Sequence, residues 1–213
     1  MSESKRVKRI IESLEAYYGI EATQESAGSP FRVLIGCILS QRTRDANSEK
    51  ATGALFQVAS DPGSILSLGG ERLRRLIRCS GYYNQKADYI IRICSDLLAR
   101  FGGEVPDDRE KLLSLPGVGP KTADVVLSYA FLKPTIAVDV HVRRTAIRLG
   151  LAEKSSGVEL VKRDLEGKIG RRDRRFMDGA LVRLGKDFCR ARNPRCDECP
   201  VGSLCPSKSG ADP

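Results

Sequence analysis

Four cysteines crowd the last 25 residues of the chain, and no other sequence feature restricts the fold as strongly. Their spacing is C-x6-C-x2-C-x5-C, and the residues are Cys189, Cys196, Cys199 and Cys205. Four thiolates within 17 residues predict a metal site with cysteine ligands alone, which would fix the conformation of the loop 189–205. The spacing differs from that of ferredoxins and from a pair of CxxC knuckles, so zinc is the less favoured metal.

Most of the remaining chain has the hydrophobic periodicity of α-helices. Apolar residues recur at spacings of three and four, as at Val7, Ile10, Ile11 and Leu14. A second run of this kind ends at Gly102, which is expected to cap its helix. Strand-like alternation is scarce, and TIAVDV at 135–140 is its main candidate. The sequence therefore predicts an all-α protein of about ten helices with short connections, in which three further cysteines pack in apolar surroundings: Cys37, Cys79 and Cys94.

Positive charge is concentrated in one part of the chain. Residues 139–195 hold 16 Lys and Arg against 8 Asp and Glu, whereas the rest of the sequence is close to neutral. Such a block favours a surface that binds a polyanion, and a solvated helix surface is the alternative. The 41% of hydrophobic residues exclude a mostly disordered chain. No apolar run approaches a bilayer span, and the N-terminus lacks the apolar stretch of a secretory signal, so we expect a cytoplasmic protein.

The segment LPGVGPKTADVVL at 115–127 predicts two short helices joined by a tight turn. Its two glycines allow positive φ and a close approach to the backbone amides, and Pro120 suits the first position of a helix. Amides that point outward at the positive end of a helix bind phosphate without reading sequence. We therefore expect DNA-backbone contacts from Gly117, Val118, Gly119 and Thr122. An ordinary helix–helix turn is the alternative.

Two of these segments resemble those of a known family. LPGVGPKTADVVL is similar to the helix–hairpin–helix of the DNA glycosylase superfamily, and TIAVDVHVRR resembles the segment that carries its catalytic aspartate. The four C-terminal cysteines match the [4Fe–4S] loop of the endonuclease III family. Taken together, the two segments and the cysteines are most similar to that family. The resemblance implies a two-lobed fold. A six-helix lobe at 26–134 would hold the helix–hairpin–helix at about 109–131, and a lobe of 1–25 plus 135–213 would hold the [4Fe–4S] cluster.

The resemblance also implies an activity: excision of oxidised or damaged pyrimidines from DNA, followed by nicking of the abasic site through β-elimination. In the family pattern Lys121 forms a Schiff base with the sugar, and Asp139 is the catalytic carboxylate. The dipole at the start of a helix disfavours a protonated lysine, and a carboxylate stabilises the cationic sugar that forms as the base departs. A merely solvated Lys121, and an Asp139 that only caps the helix beginning near Val140, are the alternatives.

Further residues are expected to contact DNA. The family fills the space left by the extruded base with side chains from two loops, which here carry Gln41, Arg42 and Tyr82. The chain departs from the family there, because Arg42 stands where a gapless match places a glutamine, and Tyr82 stands where an aliphatic wedge is common. Tyr83 lies beside the wedge. The first interval between the C-terminal cysteines adds phosphate-binding arginines: Arg190, Arg192 and Arg195.

The sequence is compatible with three functions. A glycosylase/lyase is favoured over a monofunctional mismatch glycosylase, because relatives of the second kind usually lack a lysine at the position of Lys121. A non-catalytic DNA-binding module is the third. His141 is the only histidine, which excludes a multi-histidine metal site and leaves DNA contact or packing open for it. The expected partner is double-stranded damaged DNA, without a membrane or a small-molecule cosubstrate. We expect a monomer associated with a prokaryotic nucleoid.

Overall fold

The computed structural model describes residues 1–19, 28–154 and 157–209. Within these ranges the secondary structure is helical and contains no strand, which confirms the predicted all-α fold. No helix among the residues described is both long and apolar enough to cross a membrane. The described residues form ten α-helices: α1 Glu3–Tyr18, α2 Pro30–Ser40, α3 Asp45–Phe56, α4 Pro62–Leu76, α5 Tyr83–Phe101, α6 Arg109–Leu113, α7 Pro120–Val125, α8 Val140–Arg148, α9 Val158–Lys168 and α10 Arg174–Asp187.

The chain divides into two compact units, each with a hydrophobic core of its own. One unit combines Met1–Glu25 with Leu132–Pro213, and we call it the split unit. The other is Ser26–Phe131, which we call the central unit. The domain boundary that the sequence predicts at residue 25 lies outside the described residues.

Helices α2 to α7 build the central unit, and α5 contributes its longest buried face. The apolar residues of that face include Ile90, Ile93, Cys94 and Leu97, all fully buried. Burying each such isoleucine or leucine contributes on the order of 2 kcal/mol. Gly102 ends the helix with φ 62°, as its glycine predicts. The packing role expected for Cys94 is confirmed, and Cys79 is half-buried against the same core, whereas Cys37 is half-buried outside it.

An ion pair holds the two helices of the predicted hairpin together. The guanidinium of Arg109, the first residue of α6, donates to both carboxylate oxygens of Asp124 on α7, at 2.9 Å and 3.2 Å. Asp124 is 1% exposed, so this pair is largely shielded from water. α7 begins at Pro120 as predicted and passes into a π-helical turn at Val126–Ala130. The hairpin is therefore held on both sides by structure that does not depend on a ligand.

The split unit packs its helices around residues 135–139, which belong to the main strand candidate, TIAVDV at 135–140. These five residues form neither helix nor strand, and Val140 already begins α8. Their backbone N–H groups donate to carboxylates instead: Ile136 to Glu166 at 3.2 Å, and Ala137 to Asp178 at 3.0 Å. Side chains of α9 and α10 thus replace the hydrogen bonds that a neighbouring strand would supply.

Candidate catalytic and DNA-binding site

The glycine hairpin of the central unit forms the tight turn that the sequence predicts, but its two glycines differ. Gly117 has φ 76°, and a Cβ there would lie 2.7 Å from the Tyr89 ring, so both conformation and packing require glycine. Gly119 has φ −99° and ψ 179°, so it does not adopt the positive φ that glycine allows. A Cβ on Gly119 would meet no protein atom within 4 Å, which leaves its backbone open to a ligand.

Lys121 lies at the second position of α7, directly after the hairpin, and its side chain is exposed. It lines an open cavity of about 580 Å³ in the central unit. The structure brings three of the predicted site residues to this cavity beside it: Gln41, Arg42 and Thr122. Thr122 is 7% exposed, and the side chain of Val118 packs in the core, so a DNA contact at Val118 would involve its backbone.

Cys37 also lines this cavity, although the sequence indicated only packing for it. Burial raises the pKa of the Cys37 thiol to about 11, and the charge of Lys121 opposes that rise. The thiol is therefore protonated at neutral pH and does not compete with an amine as nucleophile. No pattern in the sequence distinguishes this position from a core cysteine, because the cavity is built from α2 and α7 together.

Gln41 and Arg42 leave the end of α2 in different directions. The side-chain amide of Gln41 donates to the carbonyl oxygen of Gly117 at 2.9 Å, so it binds the hairpin. Arg42 has φ 49°, and its guanidinium carbon lies 5.8 Å from the centroid of the Tyr82 ring. Tyr82 also has a positive φ, 57°, and is 61% exposed, whereas Tyr83 is half-buried against the core. Two of the three predicted base-replacing residues, Arg42 and Tyr82, thus form an exposed cation–π pair.

Asp139 is the N-cap of α8 in the split unit. One carboxylate oxygen accepts the backbone N–H groups of His141 at 2.8 Å and Val142 at 2.9 Å. The predicted cap is therefore confirmed, and it fixes the orientation of the carboxyl group. His141 packs against α10, where a Cβ on Gly185 would lie 2.9 Å from the His141 Cβ. Its ring nitrogen Nδ1 lies 3.1 Å from the Arg144 guanidinium.

The four C-terminal cysteines border one cavity of about 100 Å³. Burial raises the pKa of the Cys199 and Cys205 thiols, and hydrogen bonding from the backbone N–H groups of Val201, Ser207 and Lys208 opposes that rise. Such bonds stabilise thiolate ligands. Gly202 is required beside them, since a Cβ there would lie 2.6 Å from the Cys196 carbonyl oxygen.

The donor set at this site consists of thiolates alone. The four cysteines line one cavity together, and among the described residues no group of three or more His, Cys, Asp or Glu side chains is arranged to hold a single metal ion. A zinc ion would require all four sulfurs at about 2.3 Å from one point. A [4Fe–4S] cluster, which its cysteines bind at separate irons, fits this donor set.

Two arginines of the basic block hold the cysteine loop on α8. Arg144 donates to the carbonyl oxygens of Cys189 and Gly185, both at 2.8 Å. Arg148 donates to the Arg190 carbonyl oxygen at 2.7 Å, and its guanidinium lies 3.6 Å from the Cys189 sulfur. Part of the positive charge that the sequence associates with a polyanion surface therefore stabilises the loop itself.

The three arginines between the first two cysteines have different environments. Arg190 and Arg192 are exposed. The guanidinium of Arg195 donates to both carboxylate oxygens of Glu198, and its Nε lies 2.8 Å from Oε1. Its guanidinium also lies 5.7 Å from the centroid of the Phe188 ring. The positive charge of Arg195 is thus already balanced within the protein.

Comparison with known proteins agrees with this geometry. Residues 35–171 match the family described as HhH-GPD superfamily base excision DNA repair protein, and residues 189–205 match the iron–sulfur binding domain of endonuclease III. The chain is 44% identical to endonuclease III of Thermotoga maritima over 183 residues, covering 83% of this chain and 82% of the relative. It is 39% identical to endonuclease III of Escherichia coli over 212 residues, covering all of both chains.

Solved structures show the same similarity. The structure of a trapped endonuclease III–DNA covalent intermediate superposes with a TM-score of 0.88 at 33% identity, over 99% of both chains. A thermostable thymine-DNA glycosylase has a TM-score of 0.87 at 23% identity, over 97% of this chain and 98% of that one, and shares the fold. The similarity extends across both units of the chain.

Proposed function

The chain belongs to the endonuclease III family of base-excision-repair enzymes, and from this premise we propose which of its residues perform the reaction. It is a DNA N-glycosylase with abasic-site lyase activity. It removes oxidised or damaged pyrimidines and then nicks the strand by β-elimination. The assignment of residues depends on the position of Lys121. This lysine is exposed in an open cavity and directly follows the glycine hairpin.

Lys121 is the proposed nucleophile. Its amine lone pair attacks C1′ of the extruded nucleotide, the glycosidic C–N bond breaks, and the base leaves with the bonding electrons and gains a proton. Opening of the sugar ring gives a protonated Schiff base between Lys121 and C1′. Loss of a C2′ proton to a general base then drives β-elimination, in which the C3′–O bond breaks and the 3′ phosphate leaves. Water hydrolyses the Schiff base and restores the amine.

Asp139 is the proposed catalytic carboxylate. Positive charge develops on the sugar as the glycosidic bond breaks, and a fixed negative charge stabilises it. The cap on α8 supports this role, because the hydrogen bonds from His141 and Val142 orient the carboxyl group before substrate arrives. The charge therefore acts without the cost of reorganising water around it.

The hairpin is the proposed phosphate site. The open space at Gly119 supports it, since a phosphate group can approach the amides where no side chain intervenes. We propose further contacts from Gln41, Arg42, Tyr82 and the exposed loop arginines. The four cysteines hold the [4Fe–4S] cluster, which stabilises the loop that presents Arg190 and Arg192. Double-stranded damaged DNA is the substrate. We propose that one chain acts alone, without a cosubstrate, at the nucleoid of the prokaryotic cytoplasm.

The arginines of the loop give a salt-dependence prediction. The affinity for DNA falls as salt rises, and this dependence should become weaker when Arg190 and Arg192 are both replaced by alanine. The magnitude of the slope of log affinity against log salt should decrease by about 1 for each arginine. Arg195→Ala is the matched control and should change the slope less, because Glu198 already balances its charge. The measurement is fluorescence anisotropy on undamaged duplex from 50 to 300 mM salt, concentrations of the order used for such series. An equal effect of all three arginines would contradict the assignment.

Product analysis tests the proposed function directly. Wild-type protein is incubated with a duplex that carries one oxidised pyrimidine. We expect free base together with a strand nicked on the 3′ side of the lesion, ending in an unsaturated aldehyde. Free base with an intact abasic strand would indicate a monofunctional glycosylase. Binding without either product would indicate a non-catalytic module.

A further inference from the structure

Lys86 is a buried lysine that the reaction above does not use. It lies in the first turn of α5 in the central unit and is 3% exposed. Its ammonium donates hydrogen bonds of 2.8 Å to the Leu39 carbonyl oxygen, the Thr43 hydroxyl and the Ser80 hydroxyl. None of these acceptors carries a negative charge. Burial accordingly lowers the pKa of Lys86 to about 8.

A buried lysine ammonium in the first turn is unfavourable for the stability of α5. A positive charge in the first turn opposes the helix dipole, and a buried ammonium without a carboxylate partner costs free energy of solvation. An apolar side chain of the same length would fill the space at lower cost. The three hydrogen bonds must therefore serve something other than the stability of α5.

Two of the three acceptors lie in loops that are distant in sequence, and the third, Leu39, lies in α2. We call residues 41–44, between α2 and α3, loop A, and residues 77–82, between α4 and α5, loop B. Lys86 contacts Thr43 of loop A and Ser80 of loop B, and the N–H of Gly81 donates to the Thr43 hydroxyl at 3.0 Å. The loops are so close at Gly81 that a Cβ there would lie 3.2 Å from the Arg42 carbonyl oxygen. Lys86 thus closes a polar network between loop A and loop B.

The same loops carry the exposed cation–π pair of Arg42 and Tyr82. Both residues have positive φ, a backbone conformation that is unfavourable for non-glycine residues. Such conformations persist where the surrounding structure determines them. Gln41 of loop A also donates to the hairpin at Gly117. Lys86 therefore contacts loop A, whose Gln41 and Arg42 line the Lys121 cavity, and loop B, which carries Tyr82.

We propose that Lys86 is a positioning residue for base extrusion, holding loop A to loop B so that Arg42 and Tyr82 fill the gap that the target nucleotide leaves in the duplex. The inference rests on the proposed function, in which those two residues contact DNA and Lys121 attacks the extruded nucleotide. Lys86 contacts no reacting atom in this account. It acts through the backbone conformation of the two loops.

Lys86→Met tests the inference, because methionine keeps most of the side-chain volume and removes the three hydrogen bonds. Two reactions are compared: base release from a lesion paired with adenine, and strand cleavage at a preformed abasic site. Extruding a paired base requires unstacking, and an abasic site has no base to unstack. We expect base release to fall at least about tenfold and abasic cleavage to change less than about twofold. Tyr82→Ala, which removes the wedge directly, should show the same selective loss.

Thr43→Val is a second test, which applies also if Lys86→Met does not fold. It removes one acceptor of Lys86 with little change in shape, and should also lower base release selectively. Thr52→Val is the matched control, because that hydroxyl donates only within α3, to Ser48 at 2.8 Å. It should leave both reactions unchanged.

The two failures are distinguishable. Parallel loss of base release and abasic cleavage in Lys86→Met and Thr43→Val, or no loss of either, would overturn the positioning role alone. Absence of abasic cleavage by the wild-type protein would overturn the proposed function, and the positioning role with it.

Discussion

Replacing Lys121 with alanine is expected to lower strand cleavage at an abasic site by on the order of 10³-fold or more. The amine is the atom that forms the bond to C1′, and no second amine lines its cavity among the residues described. Lys121 is exposed, so the free energy of unfolding should change by less than about 0.5 kcal/mol. Single-turnover cleavage of an abasic duplex, with thermal unfolding measured in parallel, checks both expectations.

Lys111→Ala is the matched control for loss of one positive charge in the same unit. Lys111 is an exposed lysine of α6, on the other side of the hairpin from α7. Its replacement should weaken DNA binding slightly and leave the rate in the bound complex unchanged. Cleavage by Lys121→Ala at the rate of the wild-type protein would exclude this lysine as the nucleophile.

Asp139→Asn is expected to separate the charge of this residue from its capping role. Asparagine is as good an N-cap as aspartate, so α8 should keep its stability. The carboxylate charge is lost, and base release should fall by about 10²- to 10³-fold, the usual effect of removing one electrostatic group from an active site. Asp139→Ala should show the same catalytic loss and in addition a decrease of about 1 kcal/mol in the free energy of unfolding. Single-turnover base release and thermal unfolding measure the two effects.

Asp61→Asn is the control for this pair. Asp61 caps α4 through the backbone N–H of Ser64 at 2.9 Å, and this bond lowers the pKa of its carboxyl group. Asp61→Asn keeps a capping side chain and removes one negative charge at a position that is distant in sequence from Lys121 and Asp139. Base release should be unchanged. If Asp139→Asn behaved like Asp61→Asn, Asp139 would be a cap only.

Features set by local chemistry could be predicted from the sequence. Gly102 ends α5, Pro120 begins α7 and Asp139 caps α8, because each depends on one residue and its immediate neighbours. The cysteine spacing likewise predicts its cluster, since the ligands lie in one short loop. The helical class follows from the periodicity of apolar residues along the whole chain.

Features that depend on contacts between distant segments could not. Lys86 lies in an unremarkable helical turn, and its partners come from residues 39, 43 and 80. Arg144 has the charge of a DNA-binding residue, but it donates to the carbonyl oxygens of Gly185 and Cys189. The glycine spacing allows positive φ at both Gly117 and Gly119, yet the backbone at Gly119 is extended. In each case packing assigns the residue a role that its type and spacing do not specify.

Borohydride trapping tests the central claim most directly, because it reduces a Schiff base to a stable amine that can be mapped. The wild-type holoenzyme is incubated with borohydride and a duplex that carries one oxidised pyrimidine, and the cross-linked peptide is identified by mass spectrometry. We predict a covalent protein–DNA complex attached at Lys121, and none with Lys121→Ala. A complex mapped to another residue, or free base released with no complex at all, would contradict the account.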